Sequence, residues 1–416
     1  SRILDDVRSS YSYYDLKENI GNVLYKLPKG DKIVGAIKKT KSNLKQVILH
    51  DSMFESMGIY YLGPVDGHDM DKLIKILNVA KRIKGPVLVH VVTQKGRGYK
   101  PAERNPSKFH GIGPFDVKTG CEINQLDVPT YSKVFSEAIC EIGKKDRMVA
   151  AITAAMPDGV GLTKFSKWFP DRFFDVGIAE AHAVTFAAGL AAGGLKPVFA
   201  VYSSFLQRAY DQILHDVCMQ QLHVVFAIDR AGLVGSDGET HQGIFDLSFL
   251  SVIPNMTIIA PKNGWELENA LEFALEHFYG PIAIRYPRGC AYTGLSEYAQ
   301  PIEYGKSELI HEGSHICLMA VGNMMETALT TGERLKEYNI DATIVNARFV
   351  KPIDEDMICD IADEHELLVT LEENVYTGGF GEAVSRYTQM NGLNIRTLGI
   401  ALPDDYIEHG NVDILK

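Results

Sequence analysis

Met148-Val-Ala-Ala-Ile-Thr153 and Val198-Phe-Ala-Val-Tyr202 are continuous apolar runs with a helix-length segment between them. Val224-Val-Phe-Ala-Ile228, Met256-Thr-Ile-Ile-Ala260 and Ile282-Ala-Ile-Arg285 follow at similar spacing. A strand with one wet face alternates apolar and polar residues, whereas an unbroken apolar run fits a strand covered on both faces. Strands of that kind separated by helices predict βαβ units and a parallel sheet, an α/β architecture.

The same pattern extends to both sides. From about Ser307, Ile316-Cys-Leu-Met-Ala-Val321, a helix through Leu335, Ala342-Thr-Ile-Val-Asn346 and Leu367-Leu-Val-Thr-Leu371 predict a third unit. Upstream, a helix is expected after Pro64-Val-Asp-Gly-His-Asp69, with Asp66 or Asp69 as its cap and Leu73, Ile76, Leu77 and Ala80 on its inner face. Pro86-Val-Leu-Val-His-Val-Val92 then predicts a buried parallel strand. Lys-rich residues 15–50 are expected to be helical. Residues 95–128, rich in Gly, Pro and charge, predict a functional loop running into a linker, and the second unit starts near Tyr131.

Composition narrows the function classes. The chain has 416 residues, 46% hydrophobic and 23% charged, as expected for a soluble protein of two or three domains. Its net charge of −11 argues against a general nucleic-acid or anionic-membrane binder. The six cysteines are scattered without a CxxC pair, which predicts reduced thiols and a cytoplasmic setting. No apolar run approaches membrane-spanning length, and the first residues, Ser-Arg-Ile-Leu-Asp-Asp, do not resemble a signal peptide.

Parallel sheets bind ligands beyond the carboxyl ends of their strands. Tyr202, Phe205 and Arg208 follow one predicted strand end; Asp229, Arg230, Asp237 and His241 follow the next; Arg285 and Arg288 follow the last. Two or three arginines at one sheet edge predict an anion cradle, because guanidinium matches phosphate or carboxylate bidentately. Asp237 and His241 add an acid/base pair beside it. The alternative is a set of ion pairs that tie loops together. Before these, Glu180 heads an apolar, small-residue helix over 180–191. An apolar surround disfavours an ionised carboxylate and suits it to share a proton with a bound base, whereas an ordinary Glu in a first helical turn is stabilised by the helix dipole.

The sequence resembles the 1-deoxy-D-xylulose-5-phosphate synthase family. The resemblance rests on Asp175-Val-Gly-Ile-Ala-Glu180, Tyr202-Ser-Ser-Phe-Leu-Gln-Arg208 through Asp216, Ile228-Asp-Arg-Ala-Gly-Leu-Val-Gly-Ser-Asp-Gly-Glu-Thr-His-Gln-Gly243 and Arg285-Tyr-Pro-Arg-Gly289. Gly63-Pro-Val-Asp-Gly-His-Asp69, Lys95-Gly-Arg-Gly-Tyr-Lys-Pro-Ala-Glu103 and Lys108-Phe-His-Gly111 also match. It implies a transketolase-like fold of successive α/β domains: the end of a diphosphate-binding domain with its linker over 1–125, a pyrimidine-binding domain over 126–305, and a C-terminal domain over 306–416. It implies the decarboxylative condensation of pyruvate with glyceraldehyde 3-phosphate, which opens the non-mevalonate isoprenoid route and feeds thiamine and pyridoxal synthesis. Thiamine diphosphate and Mg²⁺ are the implied cofactors, and a homodimer the implied assembly.

Carried over residue by residue, the resemblance gives Glu180 to the pyrimidine N1′, Phe205 to stacking on that ring and Tyr99 to a further cofactor contact. It gives Arg230 and Arg288 to the aldehyde's phosphate with Tyr202, Arg208 and Asp237 around it, and His110 and His241 to pyruvate or to proton transfer. His182, His215 and His223 are expected to be structural. Gly378-Gly-Phe-Gly-Glu382 is expected to be a helix entry, since it lacks the GxGxxG spacing. Ala181 stands where the family commonly carries Gln.

One departure is large. The family binds diphosphate and metal through Gly-Asp-Gly and a downstream Asn; the nearest strings here, Asp66-Gly-His68 and Asp237-Gly-Glu239, fit neither. No metal ligand is therefore expected in this chain, which is expected to start just after that region, to stop short of the usual last helix and to be inactive alone. The other readings are the pyrimidine-side subunit of a 2-oxo-acid dehydrogenase, which would begin near residue 130, and a non-catalytic piece.

Overall fold

The computed structural model describes residues 53–123, 128–235 and 237–415; the helix expected over 15–50 lies outside them. Two compact units divide the chain, residues 1–124 and 125–416.

In the first unit, β1 (Tyr60–Asp66) pairs in parallel with β2 (Val87–Val92), and α1 (Met70–Ala80) connects them. Asp69 is the cap of α1, its carboxylate accepting from the Lys72 N–H, while Asp66 accepts from the His68 N–H. Of the expected inner face of α1, Leu73, Ile76 and Ala80 pack inward, while Val79 takes the place expected of Leu77. Ile76 and Val79 are buried, Ile83 packs beside them just past the helix, and Leu77 is 46% exposed. β2 is also less covered than its apolar run predicts: Val87–Val89 are half-buried and His90–Val92 exposed. Beyond β2 the chain has little regular structure, a helical turn at Lys100–Arg104 and a 3₁₀ turn at Lys108–His110.

The second unit holds two sheets. The larger comprises β3 (Val149–Thr153), β4 (Phe173–Asp175), β5 (Lys196–Tyr202), β6 (Val225–Asp229), β7 (Thr257–Ile259), β8 (Ile282–Arg285) and β12 (Phe349–Lys351). Its order is β12-β7-β8-β6-β5-β3-β4. The smaller comprises β9 (Glu308–His311), β10 (His315–Ala320), β11 (Thr343–Asn346), β13 (His365–Val375) and β14 (Arg396–Leu402), ordered β14-β13-β10-β11-β9.

Every strand run singled out in this region of the sequence is a strand here. The sheets are mixed rather than wholly parallel, however, because β12 pairs antiparallel to β7 and β9 antiparallel to β11, both at edges. β12 follows β11 almost immediately yet joins the other sheet, so the two layers are stitched by chain crossover. They also share a core: Phe199, Phe226 and Ile228 of one sheet and Cys317, Met319, Val345 and Leu368 of the other belong to one buried cluster. Burying each large side chain contributes roughly 1.5–3 kcal/mol.

A buried ionic group lies between the sheets. Lys262 Nζ donates to Glu308 (2.6 Å) and Glu266 (3.3 Å), Arg348 Nε donates to Glu266 (2.7 Å), and the Asn346 amide reaches both carboxylates. Two cations balance two anions away from water, the condition under which buried charge is tolerated.

Candidate active site

The carboxyl ends of β3, β5, β6 and β8 lie side by side, so the chain segments that leave them share one edge. β5 ends at Tyr202 and runs directly into a short helix, Ser203–Leu206, which sets the Phe205 ring beside Tyr202 at 5.4 Å between centroids, nearly parallel. His241 meets Phe205 edge-on at 5.4 Å, and its Nδ1 lies 3.0 Å from the Thr240 hydroxyl.

β6 ends at Asp229, and Arg230 after it adopts φ +60. A left-handed backbone at a non-glycine residue costs on the order of 1 kcal/mol or more and recurs at functional sites. Three contacts hold it: the guanidinium lies 3.8 Å over the Tyr202 ring, pairs with Asp229 at 3.2 Å and donates to the Gly159 carbonyl at 3.0 Å. Burial pushes the Asp229 carboxyl pKa up, against the pull of Arg230 and of the Ser132 hydroxyl at 2.6 Å. Burial likewise raises the Tyr202 phenol. Arg288, 40% exposed, donates to Asp237 at 2.6 Å and to the Val234 carbonyl.

Glu180 is the first residue of the helix Glu180–Ala192 and is buried. The loop before it is shaped by Asp175, whose carboxylate accepts from the Ala155 and Gly177 N–H groups. The surround of Glu180 is not wholly apolar, as the composition of its helix suggested. Arg208 Nη1 lies 3.4 and 3.5 Å from its two oxygens, and the same guanidinium sits 5.9 Å from the Phe205 ring. Arg208, expected among the phosphate contacts, therefore partners Glu180. The Arg208 side chain, 58% exposed, reaches from the segment after β5 to the buried carboxylate at the helix start.

Arg285 leaves the predicted cradle altogether. It is buried and binds Asp246 through Nε and Nη2 (2.9 and 3.1 Å), because the end of β8 faces the covering helix Asp246–Ser251 rather than solvent. The structure thus links Glu180, Arg208, Phe205, Tyr202, His241 and Arg230 through successive contacts, with Arg288, from the segment after β8, paired to Asp237 of the His241 loop.

Tyr99 and His110 belong to the first unit. Tyr99 is half-buried in an aromatic cluster with Phe109 and Phe115 and donates to the Val117 carbonyl. His110 is exposed at the end of its 3₁₀ turn. The three histidines expected to be structural have local partners: His182 stacks on Phe186, His215 meets Asp211, and His223 meets the Gly280 carbonyl. The 378–382 stretch is a helix entry, its first N–H groups already taken by Glu372.

One wall of the site escaped the sequence reading. The turn after β3, Ala155-Met-Pro-Asp-Gly159, meets Tyr202 and Arg230, and a Cβ at Gly159 would overlap the Tyr202 hydroxyl. Its Pro-Asp-Gly string at a predicted strand end was the available signal. Among the described residues no group of three or more His, Cys, Asp or Glu could hold a metal ion.

Comparison with known proteins gives one family throughout. Residues 1–93 match the model described as 1-deoxy-D-xylulose-5-phosphate synthase, 127–292 the transketolase pyrimidine binding domain, and 305–416 the transketolase C-terminal domain. Curated 1-deoxy-D-xylulose-5-phosphate synthases from Lachnoclostridium phytofermentans and Clostridium tetani are 53% and 51% identical over the whole chain, which spans 67% of each. The Heliobacterium modesticaldum enzyme is 46% identical over the whole chain and 64% of its own length. The chain thus spans about two thirds of these relatives. A solved structure titled "Split gene transketolase, inactive beta4 tetramer" superposes with TM-score 0.61 at 28% identity, over 67% of this chain and 90% of that one.

Proposed function

The chain belongs to the 1-deoxy-D-xylulose-5-phosphate synthase family, and from that premise we propose which of its residues serve the decarboxylative condensation of pyruvate with glyceraldehyde 3-phosphate. The observation that carries the proposal is the contact series from Glu180 through Arg208 and Phe205 to Tyr202 and Arg230 on one sheet edge.

The donor set fits the pyrimidine half of thiamine diphosphate. A buried carboxylate is available to a ring nitrogen and a parallel aromatic pair to the ring face. For the Mg²⁺, no group of three or more His, Cys, Asp or Glu stands together among the described residues. When bound, the cofactor supplies the electron sink that carries the two carbons pyruvate keeps after losing carbon dioxide. Glu180 holds a proton at the pyrimidine nitrogen, and Arg208 keeps its carboxylate oriented. Arg230 binds the aldehyde's phosphate, and Arg288 joins it by exchanging Asp237 for the stronger anion. His241, against Phe205, would supply a proton to the aldehyde's oxygen as the new carbon–carbon bond forms. Tyr99 and His110 are assigned to the cofactor and to pyruvate by resemblance, as are the domain limits 126–305 and 306–416.

A homodimer and a cytoplasmic setting complete the reading. The first is supported by Ile178, 78% exposed two residues before Glu180. The second is supported by six cysteines that are all free. No described helix is long and apolar enough to cross a membrane. The dehydrogenase-subunit reading is disfavoured by the match over residues 1–93.

In the complete enzyme, Arg230→Leu and Arg288→Leu should each raise the KM for glyceraldehyde 3-phosphate roughly 10- to 100-fold, the loss of about 1.5–3 kcal/mol typical of a charged hydrogen bond, with the KM for pyruvate unchanged. An unaltered KM for the aldehyde in both variants would leave the arginines as loop ties.

A further inference from the structure

The loop that carries Arg230, Asp237 and His241 is gripped from below by the smaller sheet. Gly232 and Gly243 close its base with two backbone hydrogen bonds, 2.6 and 2.8 Å. At that base, Glu373 at the carboxyl end of β13 accepts from the Leu233 N–H at 3.1 Å and the Asn323 amide at 3.0 Å, both on Oε2. Val375 N–H donates to the Ile244 carbonyl, and Leu233, Ile244 and Val375 pack as one buried cluster. Gly232 has φ +80, and a Cβ there would overlap the Glu373 carboxylate, so the approach needs glycine. Further along, Gln242 accepts from the Val234 N–H at 2.8 Å and extends its amide to the carbonyls of Ile407 and Glu408.

We propose that Glu373 is a positioning residue for the substrate loop: by holding the Leu233 N–H from the C-terminal sheet, it fixes the loop base so that Arg230 and His241 stand against Tyr202 and Phe205. A buried N–H that loses its acceptor cannot stay where it is without penalty, so loss of the carboxylate releases the loop rather than merely deleting a contact. Leu233 is three residues from Arg230, whose left-handed backbone is sustained only while its surroundings over-determine it. The smaller sheet contributes no side chain to the contact series of the site; its part is to hold the loop. The inference rests on the reading of this loop as the holder of the aldehyde's phosphate.

The test measures amide hydrogen exchange of the ligand-free chain over residues 231–235, together with calorimetric titration of glyceraldehyde 3-phosphate. Glu373→Ala should speed exchange there about tenfold or more, and Glu373→Gln, which keeps an acceptor oxygen, by no more than about threefold. Gly232→Ala presses on the same contact from the loop side, adds the strain of a side chain at φ +80, and should speed exchange there at least as much as Glu373→Ala. Aldehyde affinity should fall about tenfold in Glu373→Ala and recover in Glu373→Gln. Unchanged loop exchange in Glu373→Ala would overturn the proposal, as would faster exchange with unchanged affinity. If Glu373→Ala does not fold, Gly232→Ala and Glu373→Gln carry the same comparison. Absence of aldehyde binding by the unaltered chain would count against the substrate reading alone, and the exchange data would still decide the role of Glu373.

Discussion

Glu372 shows how far one side chain's surroundings can move its chemistry. Burial pushes its carboxyl pKa up to about 7, against the pull of the Gly381 and Phe380 N–H groups and of Arg285. A pKa above its unfolded value of 4.5 means that the stability Glu372 contributes is complete below that value, lost as pH rises through about 7, and level above. Glu372→Gln should therefore gain on the wild type by on the order of 2 kcal/mol between pH 5 and pH 8 in urea unfolding. An equal difference at both pH values would contradict this. At the site, the residue types were legible: Phe205, Arg230 and Arg288 stand out by chemistry and by position after predicted strands, and Glu180 by heading an apolar helix. Their partners were not. Whether an arginine reaches a carboxylate, as Arg208 does, or turns inward, as Arg285 does, depends on the layer packed above it, and no local spacing encodes that.

At the scale of elements, the catalytic edge is built from turns that leave strands, and their tolerances are set by close approach. Gly159→Ala would press a methyl group against the Tyr202 hydroxyl and disturb the carbonyl that holds Arg230. Overpacking of this kind costs roughly 1–3 kcal/mol. The variant should show that loss in thermal unfolding and a several-fold weaker affinity for glyceraldehyde 3-phosphate. Wild-type values for both would show that the turn is not part of the site. The long apolar strands were legible because fully buried strands need unbroken apolar sequence. β4 and β12, three residues each, are too short to carry a period. β9 and β14 show alternating rather than uniform burial and so lack that signature.

At the scale of the molecule, residues 125–416 form one compact unit whose two sheets share a core and a buried ionic group. The repeated βαβ pattern announced successive sheets in the sequence, but it could not announce their fusion, because the Lys262–Glu266 pair, Glu308 and Arg348 are far apart in the chain and none lies in a motif. This unit should unfold in a single transition, and Glu266→Ala, which leaves Lys262 and Arg348 to share the single carboxylate of Glu308, should cost about 3–5 kcal/mol in urea unfolding. Two separate transitions, or a Glu266→Ala variant as stable as the wild type, would contradict the shared core. The central claim is that Glu180 is the proton partner of the cofactor's pyrimidine. Its most direct test is the exchange rate of the thiazolium C2 proton of thiamine diphosphate bound to the complete enzyme, compared with its Glu180→Gln variant. The account predicts a fall of at least about 100-fold with the fold unchanged; a rate equal to that of the wild type would contradict it.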